Sequence, residues 1–343
     1  DKIINAANRE GVTWKEISDR YITAYFKAMD ALGVRHADVF PRVSETMEDI
    51  IRMITVLIDR GYAYVTAAGD VYYSVEAFER YGCLSGRRLD DMEAGARIEI
   101  NETKRHPMDF ALWKAAKPGE PSWGSPWGQG RPGWHIECSA MSVKYLGEAF
   151  DFHGGGNDLI FPHHENEIAQ AEPCIDGDDK FARYWLHNGF ITVDNEKMSK
   201  SMNNFFMVKD ILKEFSGEVI RFFILQTHYR SPLDFSDERL REAQTALDRL
   251  RNTKNIAMEL ITRDEHADTA LELAQQAELF LHDFDAAMDD DFNTALALSQ
   301  MFGLSKEINR YYQEVERGTA FDAKNFARAL DAYQTMASII GIF

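Results

Sequence analysis

FHGGGNDLIFPHHENEIAQA, residues 152–171, decides how the chain reads. A mostly apolar run leading into it, Ala149, Phe150, Asp151 and Phe152, predicts a strand with His153 at its end. Gly154, Gly155 and Gly156 then predict a turn whose backbone can approach a ligand closely. Asp158 projects from that turn. Pro162 opens a helix, where its missing amide donor does no harm. His163 and Glu167 lie four apart and so share one helix face. An imidazole and a carboxylate at that spacing can grip one metal ion. Strand, glycine turn and helix start together predict a nucleotide-type pocket at the carboxyl end of a parallel strand.

Upstream, residues 135–146 predict a helix ended by Gly147 and carrying Cys138. A strand flanked by two helices can bring Cys138 toward His163 and Glu167, and zinc accepts thiolate, imidazole and carboxylate in one tetrahedral shell. On spacing alone, a buried free cysteine beside a polar helix face accounts for the same residues. His164 is a competing ligand, but helical spacing points it elsewhere. No HExxH pattern occurs, which weakens a zinc-protease reading. Downstream, Lys197-Met198-Ser199-Lys200-Ser201 sets two lysines three apart in a polar loop. Such a loop can close over a polyphosphate and neutralise developing charge. A solvated lysine pair is the plainer alternative.

The remaining chain is organised around these pieces. Thr13 and Glu16 form a capping box for a helix ended by Gly33. A second helix follows Pro41, then a hairpin about Ala68-Gly69. Residues 82–133, rich in Gly, Pro and charge, predict an insertion of long loops whose tryptophans serve as packing or lid residues. Residues 209–225 predict a helix followed by an apolar strand through Ile220, Phe222, Phe223, Ile224 and Leu225. From Asp237 helical patterns run at 240–250, 270–288, 294–314 and 322–339, a bundle. The fold class is α/β. A partial Rossmann-type parallel sheet, 1–19 and 126–193, is split by a connective insertion, 20–125. A connecting segment, 194–236, carries the lysine loop, and an α-helical domain, 237–343, follows.

Length and composition agree with two or three globular domains: 343 residues, 45% hydrophobic and 27% charged. No apolar run is long enough to span a bilayer, and no secretory pattern opens the chain. Three irregularly spaced cysteines, Cys83, Cys138 and Cys174, argue for a reducing compartment, the cytoplasm, and for metal or catalytic use. A net charge of −18 counts against nucleic acid as a partner, although a local basic strip would suffice.

KMSKS at 197–201 is the signature loop of class I aminoacyl-tRNA synthetases. GRPGWHIECSAM at 130–141, FHGGGNDLIFPHHENEIAQAE at 152–172, DKII at 1–4, GEPSWGSPWG at 119–128 and MDDDFNTA at 288–295 closely resemble cysteinyl-tRNA synthetase. The resemblance implies ATP-dependent activation of L-cysteine to cysteinyl-adenylate, with Mg2+, and transfer to tRNA(Cys) by a monomer. It implies zinc on Cys138, His163 and Glu167, to which the substrate thiolate adds. A soft thiolate binds zinc far better than the hydroxyl of serine, so such a site rejects serine without editing. It implies an amino-acid pocket lined by Trp134 and His153, ATP contacts at Gly155, Asp158 and Lys200, and transition-state support from Lys197.

Two departures shape the expectation. The family's HIGH-type motif and the first zinc cysteine before it do not occur here; Asp1 aligns shortly after both. Much of the family's anticodon-reading tail is also lacking. The expectation is therefore a piece of a longer protein, offering zinc three protein ligands and, alone, binding ATP poorly. Two other readings stay open: the related mycothiol-pathway ligase, which joins cysteine to an amino sugar, and a non-catalytic derivative.

Overall fold

The computed structural model describes residues 2–88, 103–177, 180–193, 196–198, 206–263 and 269–343. The chain divides into two compact units, Asp1–Thr23 with His36–His187, and Ala24–Arg35 with Asn188–Phe343.

In the first unit the expected capping box closes. The Thr13 amide donates to Glu16 Oε2 at 2.8 Å, and the Glu16 amide donates to Thr13 Oγ1 at 3.2 Å. The helix Trp14–Leu32 follows, and its chain crosses from one unit into the other. Helix Met47–Asp59 buries Ile50, Ile54 and Leu57 at helical spacing. The predicted hairpin pairs Ala63–Val65 antiparallel with Val71–Tyr73. It continues through Phe110–Ala115 and Gly128–Pro132 to Trp123–Ser125, making a five-stranded antiparallel sheet. The stretch expected to be mainly loops thus contributes three strands, with Leu112 and Trp113 wholly buried. Alternation of buried and exposed residues is short there, so period-two patterning is weak in the sequence.

The helix Trp134–Leu146 ends at Gly147, whose φ of 90° suits glycine. Strand Phe150–Gly156 pairs with Ala182–Asn188. Phe150 bonds Phe181 at one end and Gly154 lies against Leu186 at the other, so the two run parallel, as a Rossmann-type core requires. The three glycines are therefore strand, not the predicted turn.

The second unit holds a further parallel pair, Ile191–Val193 with Leu233–Asp234, and Glu196–Lys197 antiparallel to the first. Residues 217–225 are a helix, Gly217–Leu225, where a helix and a strand were predicted. Ser216 caps it by accepting from the Val219 amide. Val219, Ile220, Phe222 and Phe223 are buried, so the segment is apolar nearly all round and shows no helical period. Helices Asp237–Leu260, Leu271–Asp289, Thr294–Glu316 and Ala323–Ile340 form the expected bundle. Side chains of Ser236, Asn293 and Asp322 cap three of them. Leu247, Phe284, Ile308 and Tyr333 lie in one core.

Candidate metal centre

The site lies wholly in the first unit. Helix Trp134–Leu146 and helix Glu165–Ala171 pack through small residues, Ala140 and Ala169, in a core shared with Ile136 and Ile168. Ser139 Oγ donates to Gln170 Oε1 across the contact at 2.7 Å, which fixes how the two helices register. That register sets Cys138 beside Glu167.

Cys138, His163 and Glu167 bring one ligand atom each to within 4.8 Å of one another. His163 Nε2 lies 2.9 Å from Glu167 Oε1, and His153 Nε2 lies 3.3 Å from Glu167 Oε2. Glu167 is fully buried. Burial alone would raise its carboxyl, but bonds from His153 and His163 hold it down at about 2. Burial pushes the Cys138 thiol up to about 12, with the charges of Glu167 and Glu137 adding to it. A buried carboxylate facing only imidazole nitrogens, next to a thiol that burial keeps protonated, is a donor set that a dication would satisfy. The residues fit zinc.

Trp134, expected at an amino-acid pocket, is 57% exposed and stacks on His163 with ring centroids 4.3 Å apart. A cavity of about 390 Å³ is lined by Cys138, Met141, Tyr145, His153, His163 and Glu167, among others. Gly154 lines the cavity, while Gly155 packs against His164: a Cβ at Gly155 would stand 2.9 Å from His164 Cε1. Asp158 is exposed in the turn after the strand. Lys200 lies outside the described residues, and Lys197 pairs by its backbone with Thr192 in the second unit.

Two histidines add to the expected set. His164 was expected to point elsewhere, yet with His153 and Glu167 it forms a second group of converging ligand atoms. The chain from Ile160 to His164 is a wide turn containing an extended residue, Phe161, so regular helical projection does not hold there. His164 Nδ1 also contacts His187 Nε2 at 2.8 Å. His135 Nδ1 contacts His163 Nδ1 at 2.7 Å. Its signal was present in the sequence, since His135 precedes Cys138 by three residues on one face. Burial lowers both His135 and His164 to about 4, so both are neutral at pH 7.

Glu137 yields a pH prediction. Burial pushes its carboxyl from 4.5 up to about 7, against a smaller pull from Arg131. Below 4.5 both folded and unfolded chains hold the proton, and it contributes no difference. Between 4.5 and 7 only the unfolded chain releases it, so stability falls as pH rises, by about 3 kcal/mol in all. Glu137→Gln should therefore gain stability relative to the unsubstituted chain at pH 8 and not at pH 4.5. Urea unfolding at the two pH values measures this.

Comparison with known proteins identifies the family. The family described as tRNA synthetases class I (C) catalytic domain matches residues 1–245, and the DALR domain matches residues 283–343. The cysteine–tRNA ligase of Heliobacterium modesticaldum is 53% identical over 348 residues, covering 100% of this chain and 72% of that protein. That of Carboxydothermus hydrogenoformans is 53% identical over 341 residues, covering 99% and 72%. Among solved structures, Mycobacterium tuberculosis methionyl-tRNA synthetase bound by methionyl-adenylate has a TM-score of 0.66 at 16% identity, covering 99% of this chain and 79% of that one. That likeness is one of fold. With over half of its residues shared along nearly its whole length, the chain belongs to the cysteine–tRNA ligase family.

Proposed function

We propose that the chain carries out ATP-dependent activation of L-cysteine to cysteinyl-adenylate and its transfer to tRNA(Cys). The observation that carries this reading is the convergence of Cys138, His163 and Glu167 on the wall of one cavity. A zinc ion held by these three would supply a soft Lewis acid that selects a substrate thiolate over a hydroxyl. The chain's own residues do the rest. Glu167 orients His163 and His153, and neutral His135 holds the far nitrogen of His163. Trp134, stacked on His163, offers an exposed aromatic face, and His153 stands at the cavity wall to position the amino acid. Gly155 and Asp158 meet the nucleotide, Lys200 its phosphates, and Lys197 supports the charge that develops during adenylate formation. Mg2+ accompanies the ATP.

All three zinc ligands come from one chain, which makes the monomer the proposed unit of activity. No helix among the described residues is long and apolar enough to cross a membrane. We place the reaction in the cytoplasm because that is where its tRNA substrate is charged.

The test is ATP–pyrophosphate exchange by the zinc-loaded protein, followed by charging of tRNA(Cys). Exchange should require cysteine and fail with serine. Exchange without charging, and with product on an amino sugar, would replace this reading by the mycothiol-pathway ligase. Absence of exchange in the protein that carries this chain would favour the non-catalytic derivative.

A further inference from the structure

Helix Glu165–Ala171 carries Glu167 on one face and, two residues earlier, Glu165 on another. Both are fully buried. Glu165 turns away from the metal cluster and into residues 82–85. Its Oε1 accepts from the Gly82 amide at 2.9 Å and the Leu84 amide at 3.4 Å, and its Oε2 accepts from the Ser85 amide at 2.8 Å. Gly82 has φ of 98°, a left-handed conformation that turns successive amides toward a common centre. Converging amides of this kind form an anion-binding concavity, and here the anion is a side chain from the helix of the metal centre.

Neighbouring contacts extend the grip along the same segment. Tyr81 OH donates to Asn166 Oδ1, and Arg80 pairs with Glu172 at 3.0 Å. The Arg87 guanidinium lies 4.7 Å from the Phe161 ring centre. Residues 80–87 therefore hold Phe161, Glu165, Asn166 and Glu172, a span that encloses both His163 and Glu167.

We propose that Glu165 is a positioning residue for the metal centre, one that ties the order of residues 82–85 to the placement of His163 and Glu167. The proposal rests on the zinc reading above. Glu165 and Glu167 stand about half a turn apart on one short helix, so displacement of one displaces the other. Coupling of this kind is reciprocal: zinc steadies the 82–85 loop by the same factor as the ordered loop tightens zinc.

The experiment uses zinc itself as probe, with chelator competition for affinity and hydrogen exchange of the amides of residues 82–85 for loop order. In the unsubstituted protein, removing zinc should speed that exchange about tenfold. Glu165→Gln keeps the shape of the side chain but sets an N–H2 against an amide donor. It should weaken zinc about tenfold and leave the 82–85 amides fast with or without the metal. Exchange in the 237–343 bundle should stay unchanged, which separates this from global unfolding. Tyr81→Phe removes one outlying bond and should shift both readouts in the same direction by a smaller factor; it carries the test if Glu165→Gln does not fold. Unchanged zinc affinity in a folded Glu165→Gln protein would overturn the coupling, as would exchange at 82–85 that ignores zinc in the unsubstituted protein. An unsubstituted protein that binds no zinc would overturn the zinc reading, and this proposal with it.

Discussion

Replacing Cys138 by alanine should strip the protein of bound zinc and, with it, of its preference for cysteine over serine. A full set of zinc ligands contributes about 10–16 kcal/mol of binding free energy. Removing one of three protein ligands forfeits about 3–4 kcal/mol of that, or two to three orders of magnitude in affinity. Thiolate is the softest donor of the three, so the loss lies toward the upper end. Serine and cysteine differ by one atom, and a pocket that reads only size separates such isosteres poorly. The ratio of cysteine- to serine-dependent ATP–pyrophosphate exchange should therefore fall together with zinc content measured by mass spectrometry. Unchanged zinc content would sink Cys138 as a ligand. Lost zinc with intact discrimination would show that the cavity wall, and not the metal, does the selecting.

Gly133→Ala should produce the largest loss of stability. The backbone at Gly133, φ −68° and ψ 159°, is open to any residue, so glycine stands there for space and not for conformation. An added Cβ would fall 1.9 Å from the Ala111 carbonyl oxygen and 2.9 Å from its carbon. Those are backbone atoms of strand Phe110–Ala115, which no rotamer change can clear. The Gly133 amide also donates to Leu112 O at 2.8 Å, which holds the two segments together. Overpacking of this kind costs about 3 kcal/mol, the upper part of the usual range, because the obstacle is main chain. The midpoint of thermal unfolding should drop by about 6–12 °C. Gly133 immediately precedes the helix that carries Cys138, so the shift that relieves the clash moves that ligand and weakens zinc as well. A melting curve that matches the unsubstituted protein would mean that strand and helix do not meet as described.

The sequence carried much of the fold because its signals were local. The Thr13–Glu16 box and the Gly33 and Gly147 stops are one-turn features, and the bundle helices have polar outer faces that leave a clean period. Pairing of His163 with Glu167 was legible for the same reason, since i and i+4 meet on any helix. Where burial is all-round, as at Val219, Ile220, Phe222 and Phe223, periodicity vanishes and a helix passes for a strand. The glycines at 154–156 misled in another way. The lack of a side chain at Gly155 admits the His164 ring and Leu159, a tertiary requirement that looks, in one dimension, like a turn. Cys138 joins the site through packing of two helices, which spacing allowed but did not favour over a buried free cysteine; resemblance decided that link. The place of His164 depended on an irregular turn at 160–164 for which the sequence has no simple code.

The second unit includes residues 24–35 as well as Asn188–Phe343, and this has a consequence for how the protein is made. Arg221 Nη1 donates to the Leu32 carbonyl, and Leu32 belongs to the same core as Phe222 and Leu250. In the finished molecule a separation of 189 residues is a small matter, because loop-closure entropy grows only with the logarithm of length. During synthesis it is a delay. At about 5–20 residues per second, Met29 and Leu32 wait roughly 10–40 s on the ribosome before their partners exist. For that interval the chain displays an apolar helix end with nothing to cover it, and its neighbours on a crowded polysome display the same one. Substitutions in this short stretch will be felt less in the activity of the purified protein than in how much of it reaches the soluble fraction.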